Sequence, residues 1–404
     1  MTADATSIDY PSATGAECPW PAMARMRVDH PVYQLPDQPD MYVLSRWEDV
    51  RWASLHPELF TSDRSRSAIN GSDVMIGTGS PKLVVTESEG ADHKRKRTMA
   101  FQAVKPGRLK TYEPNIEAFA QELIDAFPDG QEFDFVEAFA NPLPALVTCM
   151  MLGLPLEDHH YVRAWGSFEV PGLRWLGDAV KERQLVSAAT MFDYLTEKIL
   201  ARHERREDDA ISLVIDEQIR LDGEFDLAEV RAQVTVLLGG GVVTTAHFLS
   251  TLMYHALTTR GLLDRLRHDR SMLVPFLEEG IRIEGPSQWH PRRVLQDVEL
   301  HGVTIPAGSF VLLMVGAANH DERRFPDAER FDIDRENLKH HMGFGYGAHF
   351  CLGAPLARLE TRIAFDCLLD RSRAIRLSED NDFTYIASPQ FRGLRRLNLS
   401  FHRR

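Results

Sequence analysis

No two cysteines in this chain lie close enough to form a C-x-x-C pair. The four that exist, Cys18, Cys149, Cys351 and Cys367, are scattered over 404 residues. That scatter excludes a disulfide framework and a zinc site of ordinary spacing, and it fits a reducing cytoplasm. Positive charge is also short. Forty-six Lys and Arg face 59 Asp and Glu, for a net charge of −13. Nucleic-acid binding needs a basic face to neutralise phosphate, so a nucleic-acid partner is excluded. The opening stretch, MTADATSIDYPSATGAE, has neither a basic n-region nor an apolar h-region, so no signal peptide is expected. No G-x-G-x-x-G opens a helix after a strand, which leaves direct dinucleotide binding unsupported. Internal repeats and low-complexity linkers are absent too.

What is present is an ordinary globular balance, 44% hydrophobic and 26% charged residues, enough for a large core. Residues 1–15 read as a disordered tail and residues 16–404 as a single domain, mainly α with small β-sheets (α+β). Residues 32–44 and 298–305 alternate like short strands between Pro and Gly turns. From 106 to 205 the spacing is helical, with Ile116, Phe119, Ala120, Leu123 and Phe127 on one face and Gly130, Pro142, Pro144, Pro155 and Pro171 as punctuation. The charge run at 202–209 reads as a solvated helix end. Residues 232–259 contain no Asp, Glu, Lys or Arg. They are long enough to span a bilayer, yet they hold Gly239-Gly240-Gly241, the pair Thr244-Thr245, His247 and His255. Asp226 and Glu229 before them have capping-box spacing. A core helix is expected, and no membrane anchor. Residues 261–284 read as a further helical stretch.

The most informative segment is Phe344-Gly345-Tyr346-Gly347-Ala348-His349-Phe350-Cys351-Leu352-Gly353. Three glycines in ten residues let a backbone bend tightly and approach a flat partner closely. The cysteine precedes an amphipathic helix with apolar Leu352, Leu356, Leu359, Ile363 and Cys367, and a helix N-terminus favours thiolate. At these residues the chain resembles the cytochrome P-450 superfamily of haem-thiolate monooxygenases, most of all its soluble bacterial members. The resemblance runs from about residue 31 to 396. It implies a haem b whose iron is held by Cys351, seated between a long central helix and the helix after the cysteine loop, with Phe344, Gly345 and Gly353 shaping the loop. It further implies a buried charge cluster of Glu279, Arg282 and Arg330, the first two sharing a helix face. His93, Arg97, Arg292 and His349 are the expected propionate partners, with Arg293 a rival to Arg292. Lys94, Arg95 and Lys96 read instead as a solvated basic helix face.

The resemblance also places Gly240, Gly241 and Thr244 at the oxygen site of the central helix, with O2 as co-substrate. Consecutive glycines cost about 1 kcal/mol each of helix propensity, so their presence calls for a packing or functional reason. Here the sequence departs from the family. Val243 stands where an acid usually sits, so protons are expected from ordered water, a polar group on the substrate, or His247, whose ordinary titration range suits a relay. The ordinary alternative for His247 is a core histidine bonded to a backbone carbonyl. Pocket residues implied are Val170, Trp175, Val236, Val243, His247, Ser287, Trp289 and Phe391. They are mostly apolar, so a small apolar substrate is expected. Monooxygenation driven by a ferredoxin-type iron–sulfur protein and its reductase is the leading activity, in a monomer. A peroxide-driven, coupling or desaturating enzyme is the alternative that Val243 raises, and a non-catalytic haem sensor or carrier the third. The acidic ferredoxin would dock on Lys94, Arg95, Arg358 or Arg362.

Overall fold

The computed structural model describes residues 8–10, 15–63, 82–166 and 178–404, with the side chains of 166–188 outside the described set. Its strands are β1 (Val32–Leu35), β2 (Gln38–Leu44), β3 (Phe60–Thr61), β4 (Glu132–Asp134), β5 (His290–Val294), β6 (Val298–Leu300), β7 (Val303–Ile305), β8 (Phe310–Leu313), β9 (Ser372–Leu377) and β10 (Asn398–Arg403). All other regular structure is helical, so the mainly α class with small sheets holds. The chain divides into two compact units. One comprises Met1–Asp63, Val274–Cys351 and Asp382–Arg395; the other comprises Arg64–Leu273, Leu352–Asn381 and Arg396–Arg404.

The first unit is built on a five-stranded sheet of order β1-β2-β8-β5-β3, with the β6–β7 hairpin beside it. β2 and β8 are parallel and the other pairings antiparallel. β-branched and aromatic side chains fit this pleated surface. Tyr42, Leu44, Phe60, Val294, Val311 and Leu313 form a buried cluster with Trp47, Phe325 and Met342. Residues 1–7 and 11–14 of the expected tail lie outside the described residues, but Tyr10 does not behave as tail. It is 2% exposed, and its hydroxyl donates to the Pro389 carbonyl.

The second unit is helical, with a three-stranded sheet of order β4-β10-β9. Its axis is a helix over Leu227–Thr258, whose Asp226 cap accepts from the N–H groups of Ala228 and Glu229 at 2.9 and 3.1 Å. Glu229 does not close a reciprocal box; its carboxylate takes Gln233 and Arg95 instead. The helix is long and apolar enough to cross a membrane, yet most of that apolar window is buried inside the protein. A core helix is the outcome the sequence reading favoured. The run at 202–209 proves less solvated than expected. Asp209 is 3% exposed, pairs with Arg202, and caps the helix Ala210–Asp222 by accepting from the Ser212 N–H at 2.8 Å. Residues 261–284 form two helices, Leu262–His268 and Leu273–Glu284, parted where Asp269 caps the turn Arg270–Met272.

The helix Ala354–Arg371 packs on the helix Pro106–Asp125 and buries a carboxyl in doing so. Glu360 is 2% exposed and has no hydrogen-bond partner. Burial alone pushes its pKa from 4.5 to about 8. The folded protein therefore holds this proton more tightly than the unfolded chain does. Stability should fall as pH climbs from about 4.5 to about 8, and the penalty, on the order of 5 kcal/mol, should be complete above that. Glu360→Gln should flatten this slope and raise the melting temperature at pH 9 relative to pH 5. Thermal melts of both proteins across that range check it; parallel pH profiles would contradict it.

Candidate active site

The cysteine loop begins where the helix Leu273–Glu284 ends its work. A Cβ on Gly343 would lie 2.4 Å from the Ile281 side chain and 2.6 Å from its carbonyl, so only glycine fits against that helix. The Met342 N–H donates to Asn319 Oδ1 at 2.7 Å, and the Gly345 N–H to the Met342 carbonyl at 2.8 Å. Gly345 and Gly347 take φ of 74° and 71°, a left-handed backbone that other residues adopt only with strain. A Cβ on Gly347 would also meet the Ser54 carbonyl at 2.8 Å. The loop closes when the Cys351 N–H donates to the Phe344 carbonyl at 2.8 Å. Cys351 is left exposed, three residues before the helix Ala354–Arg371, with Gly353 at its N-cap. Cys149 and Cys367 are buried instead, and burial pushes both thiols up to about 12. They are inert core residues.

Behind the loop, the charge cluster is real but its third member differs from expectation. Arg282 donates to both carboxylate oxygens of Glu279 at 2.6 and 2.8 Å, both side chains having 0% exposure. Arg330 does not complete it. Its side chain is 70% exposed and reaches only Asp332, at 3.9 Å, while its backbone carbonyl accepts from Arg282. The second guanidinium is that of Arg335, whose Nε donates to Glu279 at 3.1 Å with a side chain 7% exposed. The Asp332 N–H adds a fourth donor at 2.8 Å. The turn after Phe331 swings Arg335 inward, a geometry that residue spacing does not reveal.

Strand period selects between the rival arginines. His290 and Arg292 share one face of β5, and Arg293 points to the other, where it stacks over Phe310 at 4.1 Å. The His290 ring is held neutral, its pKa lowered to about 3 by burial, by Arg292 and by His349. One fixed positive charge, that of Arg292, and two imidazoles therefore gather at one spot, an arrangement that offers donors to an anion. Ser62, which sequence reasoning missed, lies 2.9 Å from the His349 ring through its hydroxyl.

In the second unit, the helix Gly90–Phe101 carries His93, Lys96 and Arg97. Only Lys94 of the basic run is solvated. Lys96 is 3% exposed and bonded to Asp92 and Ser88, while Arg95 pairs with Asp92, Asp222 and Glu229. Arg95 is thus committed internally, whereas Arg362 stays 40% exposed with Asp366 at 3.3 Å one turn along its helix. Arg97 is half-buried and pairs with no acid among the described residues.

Along the central helix, Val236, Gly239, Gly240, Gly241, Val243, Thr244 and His247 are less buried than their neighbours. All but Gly241 fall on one face by helical spacing. A Cβ on Gly239 or Gly240 would meet nothing within 4 Å, whereas one on Gly241 would meet Thr148 at 3.0 Å. The glycine pair at 239–240 therefore keeps this face flat. The Thr244 hydroxyl donates to the Gly240 carbonyl at 2.8 Å, within an uninterrupted α-helix. Among the described residues the His247 ring is bonded to no backbone carbonyl, and burial lowers its pKa to about 4, so it does not titrate near neutrality as expected. Of the remaining pocket residues, Ser287 bridges Phe391 and faces His290 at 3.3 Å. Trp289 is a correction: it has 0% exposure, and its indole N–H donates to the Pro389 carbonyl, which makes it core. Val170 and Trp175 lie outside the described residues.

The loop bent to expose one thiol and the glycine-flattened helix can each be set beside known proteins. The family description "Cytochrome P450" matches residues 171–382. Cytochrome P450(MEG) of Priestia megaterium is 34% identical over 83% of this chain and 82% of its own length. The chain belongs to the cytochrome P450 family. The vitamin D(3) 25-hydroxylase of Pseudonocardia autotrophica is 32% identical, covering 96% of this chain and 95% of that one. Among solved structures, ligand-free cytochrome P450 TbtJ1 superposes with a TM-score of 0.85 at 32% identity, over 97% of this chain and 100% of its own. The chain is accordingly an oxidoreductase of the P450 fold, a family that uses haem b with a cysteine thiolate ligand and O2 as co-substrate.

The charge cluster makes a prediction that separates its two arginines. Arg335→Ala strips a guanidinium from a buried carboxylate and should destabilise by about 3–5 kcal/mol. Arg330→Ala, at an exposed side chain, should stay within about 0.5 kcal/mol. Urea unfolding of the two variants reads the difference. Equal losses would return Arg330 to the cluster.

Proposed function

We propose that this P450 inserts one oxygen atom of O2 into a small to medium apolar molecule, with Cys351 as the thiolate ligand. The carrying observation is the loop that presents Cys351 exposed, while both cysteines of the helical core are buried with raised thiols. When bound, haem supplies the dioxygen chemistry by which R–H, O2, two electrons and two protons become R–OH and water. The chain's own residues do the rest. The residues present fit that group: Arg97, with no acid partner among the described residues, and Arg292 beside the His290 and His349 rings suit carboxylates. His93, Arg97, Arg292 and His349 are therefore assigned to the propionates. Gly239 and Gly240 let the helix backbone come close, whereas Gly241, expected there too, makes room for Thr148; Thr244, its proton spent on Gly240, offers an acceptor to the oxygen site.

Electrons come from an external ferredoxin and reductase, docked over Lys94, Arg358 or Arg362, and the enzyme works as a cytoplasmic monomer. One observation favours a second reading. Val243 supplies no acid, so a peroxide-driven or oxidative coupling enzyme follows if protons do not reach bound oxygen.

The reduced carbonyl complex of the holoenzyme should show the red-shifted Soret band of thiolate ligation, and Cys351→His should lose it, because imidazole pushes less charge onto the iron than thiolate. A Cys351→His protein keeping that band would refute the assignment. Product formed with ferredoxin, reductase and NADH supports monooxygenation. Product formed only with hydrogen peroxide selects the second reading.

A further inference from the structure

The less buried stripe of the central helix is apolar with two exceptions. Val236, Gly239, Gly240 and Val243 offer no hydrogen bond from a side chain, and Thr244 has already donated its proton to Gly240. That leaves His247. Its carbonyl oxygen is used, accepting from Ser250 and Thr251 at 2.8 and 3.1 Å, but its ring has no hydrogen-bond partner among the described residues. The neighbouring Val242, Thr245, Ala246 and Phe248 are all 4% exposed or less, so the imidazole stands at the boundary between core and open face. The ring nitrogens are not sealed in the core but lie on the less buried face, where a bound molecule can reach them. Phe at this position would pack the same space and offer no hydrogen bond. The imidazole is one turn beyond Val243, on the same face.

We propose that His247 is a specificity-determining residue that hydrogen-bonds a neutral oxygen group, hydroxyl or carbonyl, on an otherwise apolar substrate. The inference rests on the monooxygenase reading and names the substrate class for it. Burial supports the choice of a neutral group. The ring's pKa of about 4 makes it an uncharged donor and acceptor at pH 7. A carboxylate would meet no cation from the stretch of this helix around His247, because residues 232–259 contain no Lys or Arg. An ammonium would meet no carboxylate there either. Either charge would lose its hydration without repayment. An alcohol or ketone gives up less and satisfies the imidazole. The ring then selects among ligands by what they leave unpaired.

The test is equilibrium dialysis on the holoenzyme, a readout independent of turnover. The probes are adamantane and 5α-androstane skeletons, each as hydrocarbon, monoalcohol, ketone and carboxylate. The alcohol or ketone of at least one skeleton should bind about tenfold or more tighter than its hydrocarbon, and its carboxylate should bind worst. His247→Phe should bring that ratio near one while hydrocarbon binding is kept or improved. His247→Asn, which keeps a donor and an acceptor, should restore most of the preference. A ratio unchanged in His247→Phe, carboxylates binding best, or no binding on either skeleton overturns the proposal. Each of these can occur while the thiolate carbonyl band is intact, so this inference can fail without the monooxygenase reading failing.

Discussion

Glu279 carries a carboxylate into the protein with no exposure at all, and the first unit is arranged around satisfying it. Arg282, Arg335 and the Asp332 N–H supply its donors. Such a group adds little net stability over apolar packing, but it tolerates few alternative geometries. Arg282 also donates to the Asn319 carbonyl at 2.9 Å, and Asn319 in turn receives the Met342 N–H on its side chain. From Met342 the chain of bonds runs through Gly345 and Phe344 to the Cys351 N–H. The exposed thiol of Cys351 is thus held by a backbone whose anchor is a buried ion group. Ile281, on the same helix, leaves room beside it for glycine alone at position 343. Charge fixes the direction and sterics fix the distance.

The central helix answers to a different constraint. A helix of 32 residues hidden on most sides must still present one face to chemistry. It does so by omission. Glycine at 239 and 240 removes Cβ atoms that nothing opposes, at a cost in helix propensity, and Asp226 offsets part of that cost with a firm cap. The polar content of the face is reduced to one hydroxyl, satisfied internally, and one imidazole kept neutral by its surroundings.

Much of this was legible in the residues, for reasons that differ by element. The cysteine loop could be read because left-handed glycines and a close approach leave few substitutes, so the pattern is dense. The Glu279–Arg282 pair could be read because helix period places i and i+3 together. Arg335 could not, since it reaches Glu279 through an irregular turn with no period, and Arg330, nearer in the chain, points to solvent. Arg292 was separable from Arg293 only once β5 was seen as a strand with two faces. Trp289 read as a pocket wall because an aromatic can serve either purpose, and only its buried indole bond settles it as core. Arg95 looked like a surface cation until Asp222 and Glu229, distant in sequence, were found beside it. The neutrality of His247 comes from tertiary burial, which no local spacing encodes.

The central claim is that the buried ion group governs the thiol through Asn319, and one substitution addresses it. Asn319→Leu keeps the side chain's bulk but removes the acceptor for Met342. The measurement is the reduced carbonyl spectrum of the haem-loaded variant, with far-UV circular dichroism confirming that its helices are intact. The account predicts that the thiolate band shrinks, replaced by a band without thiolate character, while haem content stays near that of the wild type. An undiminished thiolate band in a folded Asn319→Leu protein would contradict it.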